Sequence, residues 1–304
     1  MATQIFSLEK YDDFICLYSP CSSTEARFCL SRGGSLDMLM IENTQIITNL
    51  SPISPQKTYP SSVLFPFANR IKDGKLECSK GIFDLLASNP FEIQHAIHGT
   101  AIFSDWDLDE SSDSSVLIST KLSEPWPYEG KVELKIYLDG PSLRQELLIT
   151  NFDSEIMPFS MGWHPWFNKY LGSEEVEIIF DAEYKWETTN DSIPTSKKIV
   201  TDEIVDAKNG FSPKPGTLNE CYRLKDKTSA YLKWPELTLK IQSSEECGHL
   251  MVYTPKEPLS NLICVEPQTA TINPFQLYDD LVDDTGVLFV EPGKNHLIST
   301  NWSW

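Results

Sequence analysis

Hydrophobic positions recur along this chain at a spacing of two. In residues 131–139, Val132, Leu134, Ile136 and Leu138 share one face, with Lys131, Glu133 and Lys135 on the other. Side chains alternate across a strand, so the pattern predicts a half-buried antiparallel strand. Similar short runs occupy residues 115–120, 143–150, 176–180, 237–243, 250–253 and 262–266. Turn chemistry separates the runs, at Gly33-Gly34, Asp73-Gly74, Asp139-Gly140-Pro141, Asn209-Gly210 and Pro292-Gly293. Helical periodicity is scarce: residues 275–282 are the one candidate helix, a short one, and residues 206–216, rich in Pro, Gly, Lys and Ser, read as a long loop. Many short strands between turns predict an all-β fold, a sandwich or barrel. With no internal repeat and no low-complexity linker, residues 1–304 are expected to form a single domain.

Composition narrows the partners. Lys and Arg number 25 against 44 Asp and Glu, a net charge of −19, which repels a phosphate backbone and excludes nucleic acid as the expected partner. Anionic membrane surfaces are disfavoured for the same reason. Hydrophobic residues at 40% and aromatics at 11% are enough for a sizeable core. The first residues carry neither a cationic start nor a long apolar stretch, and no apolar run is long enough to span a bilayer. Seven scattered cysteines (16, 21, 29, 78, 221, 247 and 264) form no Cys-x-x-Cys pair. Reduced thiols in a cytoplasmic protein are the expectation, with neither a disulfide scaffold nor a thiolate zinc site.

Nucleotide-binding, zincin and hydrolase-elbow motifs are absent. His164 stands among aromatics in Met161-Gly162-Trp163-His164-Pro165-Trp166-Phe167, company that suits a sugar site and equally a structural histidine in an aromatic core. Glu266 ends an apolar run on the same face as Leu262 and Cys264, where desolvation would raise its pKa toward that of a useful base; a solvent-facing strand end is the plainer reading. Arg70, after Phe65-Pro66-Phe67-Ala68-Asn69, offers a rigid donor fork to a hydroxyl or, equally, a partner for one of the many acids. His95 and His98 have the spacing of a helical metal pair, but on extended chain they face opposite ways, so a metal is not expected.

Taken together, Asn69-Arg70-Ile71-x-x-Gly74, His98-Gly99 with Trp106 downstream, His164-Pro165-Trp166-Phe167, Glu266-Pro267-Gln268-Thr269 and Pro292-Gly293 resemble the aldose 1-epimerase (galactose mutarotase) family in order and spacing. The segment from Ser31 to Leu39 also resembles the family's opening hairpin around a glycine. The resemblance covers roughly residues 28–300. It implies a large antiparallel β-sandwich, the galactose mutarotase-like supersandwich, with a sugar bound in a concave face. By motif match His164 would be the general acid and Glu266 the general base, while Asn69, Arg70 and His98 would hold the substrate, with Trp166 and Asn219 beside them. No cofactor and no metal are implied, and the partner would be a small-molecule sugar, met by a monomer or homodimer.

Three features depart from the family's pattern. Asn219, in Leu218-Asn219-Glu220, stands where the family often has an aspartate that grips sugar hydroxyls. Trp166 replaces the usual tyrosine, and a glycine-rich loop is reduced to Glu124-Pro125-Trp126-Pro127-Tyr128-Glu129-Gly130. These changes bear on which sugar is preferred. Two rival readings are a sandwich that binds sugar without turnover and a mutarotase for phosphorylated hexoses, for which Lys72 and Lys75 are the nearby cations. A glycosidase would need a second carboxylate across the bond, and the sequence offers none well placed.

Overall fold

Two antiparallel sheets packed face to face form the body of the protein. The computed structural model describes residues 13–304 apart from 20–22, 49–60, 87–93, 113 and 226–228. Among the described residues the smaller sheet has eight strands, in the order Asp107–Ser111, Ser115–Lys121, Gly130–Asp139, Ser142–Asn151, Asn295–Ser303, Thr238–Ser243, Ser229–Lys233 and Glu177–Phe180. The larger has twelve. Its main path runs Phe14–Ser19, Thr24–Cys29, Ser35–Ile41, Thr44–Ile47, Trp166–Asn168, Leu262–Gln268, His249–Tyr253, Asn219–Leu224, Ala182–Thr188 and Pro194–Ile199. The strand Gly162–His164 joins Leu262–Gln268 on one side and Ser62–Leu64 on the other.

The expected all-β sandwich is the observed architecture, and each expected strand is present with its ends moved by no more than two residues. In Gly130–Asp139 the alternation is complete: Val132, Leu134, Ile136 and Leu138 are buried, and the intervening Lys131, Glu133 and Lys135 are half-buried. Those apolar faces meet Ile263, Val265, Val252 and Phe167 of the larger sheet in one continuous core. Phe167 and Trp302 bridge the two sheets, with ring centroids 5.5 Å apart. The opening hairpin is also present: Thr24–Cys29 pairs with Ser35–Ile41 across a turn holding Gly33 and Gly34, both at positive φ.

The helical content differs from expectation in one place. Residues 275–282 do contain a short helix, Pro274–Asp279. A second helix, Asp202–Asn209, runs into what reads as a loop from 206. Its signals are local: Asp202 and Glu203 in the first turn, Lys208 in the last, and Gly210 at φ 93 ending it. Ile204 and Ala207, three apart, face the core, and eight residues are too few for that periodicity to stand out in a β-rich chain. No helix among the described residues is long and apolar enough to cross a membrane. Six cysteines are free thiols, and Cys21 lies outside the described residues.

Candidate active site

The strand Leu262–Gln268 is the axis of the site, and every one of its residues is buried. Ile263 and Val265 point into the intersheet core, so Leu262, Cys264, Glu266 and Gln268 line the opposite face. The next strand down contributes His164. Gly162 pairs with Gln268, and a Cβ on Gly162 would lie 2.8 Å from the Gln268 Cγ, so the close approach of these strands requires glycine there. Thr269 donates its N–H to the Met161 carbonyl at 2.8 Å and accepts the Met161 N–H on Oγ1 at 3.0 Å, locking the two segments in register. Pro165 holds His164 in extended backbone. The result is His164 Nε2 at 3.4 Å from Glu266 Oε1.

Aromatic groups wall this pair. Trp166 stacks on the His164 ring with centroids 5.3 Å apart and planes 4° from parallel. His98 meets it edge-on at 5.0 Å, and Tyr253 stands edge-on to Trp166 at 5.9 Å. His98 is delivered by a separate arm, in which Arg70 pairs with Ile97 and the His98 N–H donates to the Asn69 carbonyl at 3.0 Å. Asn69 and His98 both have left-handed backbone, at φ 56 and 66, and the Asn69 Oδ1 accepts from the Arg70 N–H at 3.0 Å and from its Nη1 at 3.3 Å. Gly99, at φ 72, sits so tightly on the Phe65 carbonyl that any side chain would collide with it. Trp126, from the shortened loop, is buried against Phe67 and Phe275, where it supports this arm from behind.

Burial sets the electrostatics. It pushes Glu266 well above the usual carboxylate range, against the opposing effects of the Gln268 amide, which donates Nε2–H to Glu266 Oε2 at 3.1 Å, and of the Arg70 charge. Burial lowers His164 to about 4, and it lowers His98 well below its ordinary value, with the charges of His164 and Arg70 acting in the same direction. Both shifts in the His164–Glu266 pair favour neutral groups, so burial favours a neutral imidazole beside a protonated carboxyl. That state and an imidazolium–carboxylate pair contain the same single proton. Among the described residues, the buried Nδ1 atoms of His98 and His164 have no hydrogen-bond partner.

Six of the seven residues singled out in the sequence therefore converge: His164, Glu266, Asn69, Arg70, His98 and Trp166. Asn219 shares their face without touching them, because it pairs with Tyr253, which in turn pairs with Cys264. Its Nδ2 donates to Ser192 Oγ at 3.1 Å. His95 is elsewhere, accepting the Asp73 N–H on Nδ1 at 3.1 Å and meeting Asp191 through Nε2 at 3.2 Å. Lys72 and Lys75 have exposed side chains. Gln268 and Tyr253 were not singled out as site residues in the sequence. Period-two alternation from Glu266 points to Gln268, whereas Tyr253 depends on a strand pairing that no local pattern reveals.

A family model described as aldose 1-epimerase matches residues 29–294. The chain belongs to the aldose 1-epimerase family. Its relatives include the uncharacterized protein YihR of Escherichia coli (strain K12), 21% identical over 275 residues, which are 88% of this chain and 87% of that protein. Another, the uncharacterized protein YphB of the same organism, is 30% identical over 105 residues, a match spanning 34% of this chain and 35% of YphB. Among solved structures, a putative aldose 1-epimerase from Escherichia coli K12 superimposes with a TM-score of 0.82 at 16% identity, covering 95% of this chain and 98% of that one. A galactose mutarotase-like protein from Clostridium acetobutylicum gives 0.81 at 22% identity, covering 95% and 94%. The expected galactose mutarotase-like fold is the fold of this aldose 1-epimerase family member.

Proposed function

We propose that this chain, acting as a single domain, is an aldose 1-epimerase that interconverts the α and β anomers of a free hexose or related aldose. Glu266 is the general base and His164 the general acid. The observation that carries this reading is the 3.4 Å approach of His164 Nε2 to Glu266 Oε1 in a buried, aromatic-walled site. The Glu266 carboxylate takes the proton of the C1 hydroxyl while His164 delivers one to the ring oxygen, and the C1–O5 bond breaks to give an aldehyde. Rotation about C1–C2 and the reverse transfers close the ring on the other face.

The pair holds one proton throughout. Before opening, the proton is on His164, and in the open-chain state it is on Glu266. Burial favours the second distribution, in which neither group is charged. The desolvation that raises Glu266 and lowers His164 therefore lowers the cost of the aldehyde state. Hydroxyl donors from the sugar and the Arg70 charge stabilise the carboxylate needed to begin. Neutral His98, Asn69 and Arg70 hold the hydroxyls, and Trp166 covers an apolar face of the ring. The chemistry needs proton transfer alone, so no metal or redox group has a part in it.

Polarimetry on freshly dissolved α-glucose and α-galactose tests the proposal. Acceleration of anomer exchange over the spontaneous rate, lost in Glu266→Gln, is the expected result. Sugar binding without acceleration would instead make the protein a binding module.

A further inference from the structure

Cys264 is the member of the site that the proton chemistry leaves without a role. Its thiol is fully buried on the same face as Glu266, two residues away, and burial and the nearby carboxylate push it well above its ordinary pKa. A ligating nitrogen of His164, the Cys264 Sγ and a carboxylate oxygen of Glu266 all lie within 4.8 Å of one another. We propose that these three side chains form an inhibitory zinc site, in which a Zn²⁺ ion bound by imidazole, thiolate and carboxylate occupies the catalytic pair.

Zinc bonds of about 2.0–2.3 Å place neighbouring tetrahedral ligands roughly 3.3–3.7 Å apart; His164 and Glu266 already stand at 3.4 Å, and the full set, within 4.8 Å, closes by about an ångström on the ion. Thiolate and imidazole select a borderline-soft cation over Mg²⁺ or Ca²⁺, which take oxygen ligands. The Gln268 amide on Glu266 Oε2 orients the carboxylate while leaving Oε1 for the metal. Charge also balances. Binding releases the Cys264 thiol proton and the one proton of the His164–Glu266 pair to solvent, and a dication with thiolate, carboxylate and neutral imidazole sums to zero. A fourth tetrahedral position is left to water. Ligand spacing in the sequence gives no hint of this site, because His164 and Cys264 are a hundred residues apart and meet only through strand pairing.

Metal binding is independent of the enzymatic reading; the inhibition rests on it. The test titrates the reduced protein anaerobically with Co²⁺ and follows sulfur-to-cobalt charge-transfer absorption, with Zn²⁺ as the competing ion. The expected result is a saturable band, displaced by Zn²⁺, that survives in Cys221→Ala and is lost in Cys264→Ala, with at least tenfold weaker Zn²⁺ binding by calorimetry. Cys264→Ser, closer in size, gives the same loss and serves where the alanine variant fails to fold. Absence of the band from the parent protein, or its persistence without the Cys264 sulfur, overturns the site. If the band is present and mutarotation, once observed, is unchanged by saturating Zn²⁺, the inhibition is overturned while the enzymatic reading stands. A band in a protein without mutarotation leaves the metal site standing and overturns the enzymatic reading, and the inhibition with it.

Discussion

The strands Gly130–Asp139 and Leu262–Gln268 are built on the same period of two and end in opposite situations. The first, in the smaller sheet, buries one face and shows charged side chains on the other. The second, in the larger sheet, is buried on both faces. Where water reaches one side, alternation separates apolar from charged residues, and the half-buried charges keep part of their hydration. Where both sides are covered, alternation separates residues packed between the sheets, Ile263 and Val265, from those on the site face, Cys264 and Glu266. The carboxylate there loses its hydration, and burial raises its pKa well above the usual carboxylate range, the property on which the proposed base role draws. The smaller sheet is thus a support and the larger a site, although their local patterns are closely alike.

Substitutions that exchange these roles put the contrast at risk. Glu266→Gln is expected to lower anomer exchange by about 10²–10⁴-fold, the usual contribution of a single general base. Its urea midpoint should be unchanged or raised, because an acid that folding forces to take up a proton at neutral pH is replaced by a neutral amide. Retention of near-parental exchange by polarimetry would remove Glu266 from the base role. Leu134→Ala should do the reverse. It is expected to cost about 2–5 kcal/mol of stability as a large-to-small change in a packed core, with kcat/KM of the folded fraction untouched. A comparable loss of kcat/KM would show that the supporting sheet tunes the site.

Acid sensitivity should also belong to the larger sheet. His249 is buried there, with Nδ1–H donated to the Thr269 carbonyl at 2.9 Å, and burial lowers it from 6.5 to about 4. Between those values the unfolded chain binds a proton that the folded one refuses. Stability is therefore full above pH 6.5 and falls as the pH drops toward 4, by about 3 kcal/mol for this one group. Urea unfolding across that range should show a shallower pH slope in His249→Gln, and an unchanged slope would place the acid sensitivity elsewhere. The smallest effect is expected from Asn219→Asp. With one Nδ2 hydrogen engaged by Ser192, the amide keeps a second donor beside its Oδ1 acceptor, whereas the aspartate would offer acceptors only. A several-fold change in the glucose-to-galactose rate ratio, about 1 kcal/mol for one altered hydrogen bond, is the expected outcome. An identical change for every aldose would place Asn219 outside the pocket.

The strands were legible because alternation and turn residues are local signals, and the turn at Asp139-Gly140 is one example. The helix Asp202–Asn209 was harder to read because its caps are ordinary surface residues and its apolar face is two side chains wide. Glu266, Arg70 and His164 could be named from motifs, yet each alone had an equally good structural reading. What separates the readings is distance, and distance follows from pairing between segments that lie far apart in the chain. The Gly162–Gln268 bridge, which sets His164 against Glu266, joins residues more than a hundred positions apart. Tyr253 entered the site in the same way.

Those pairings also make the larger sheet a ruler. Trp166, Cys264, Tyr253 and Asn219 are cross-strand neighbours in one row. Adjacent strands are held about 4.8 Å apart by backbone hydrogen bonds, so the row spans roughly 14 Å whatever its side chains are. Lengthening or trimming the loops between these strands leaves that pitch unchanged. Single positions of the row, Trp166 at one end and Asn219 at the other, can therefore be exchanged without disturbing the spacing of the rest. Divergence in sugar preference then needs no remodelling of the scaffold, only the exchange of single side chains at fixed intervals.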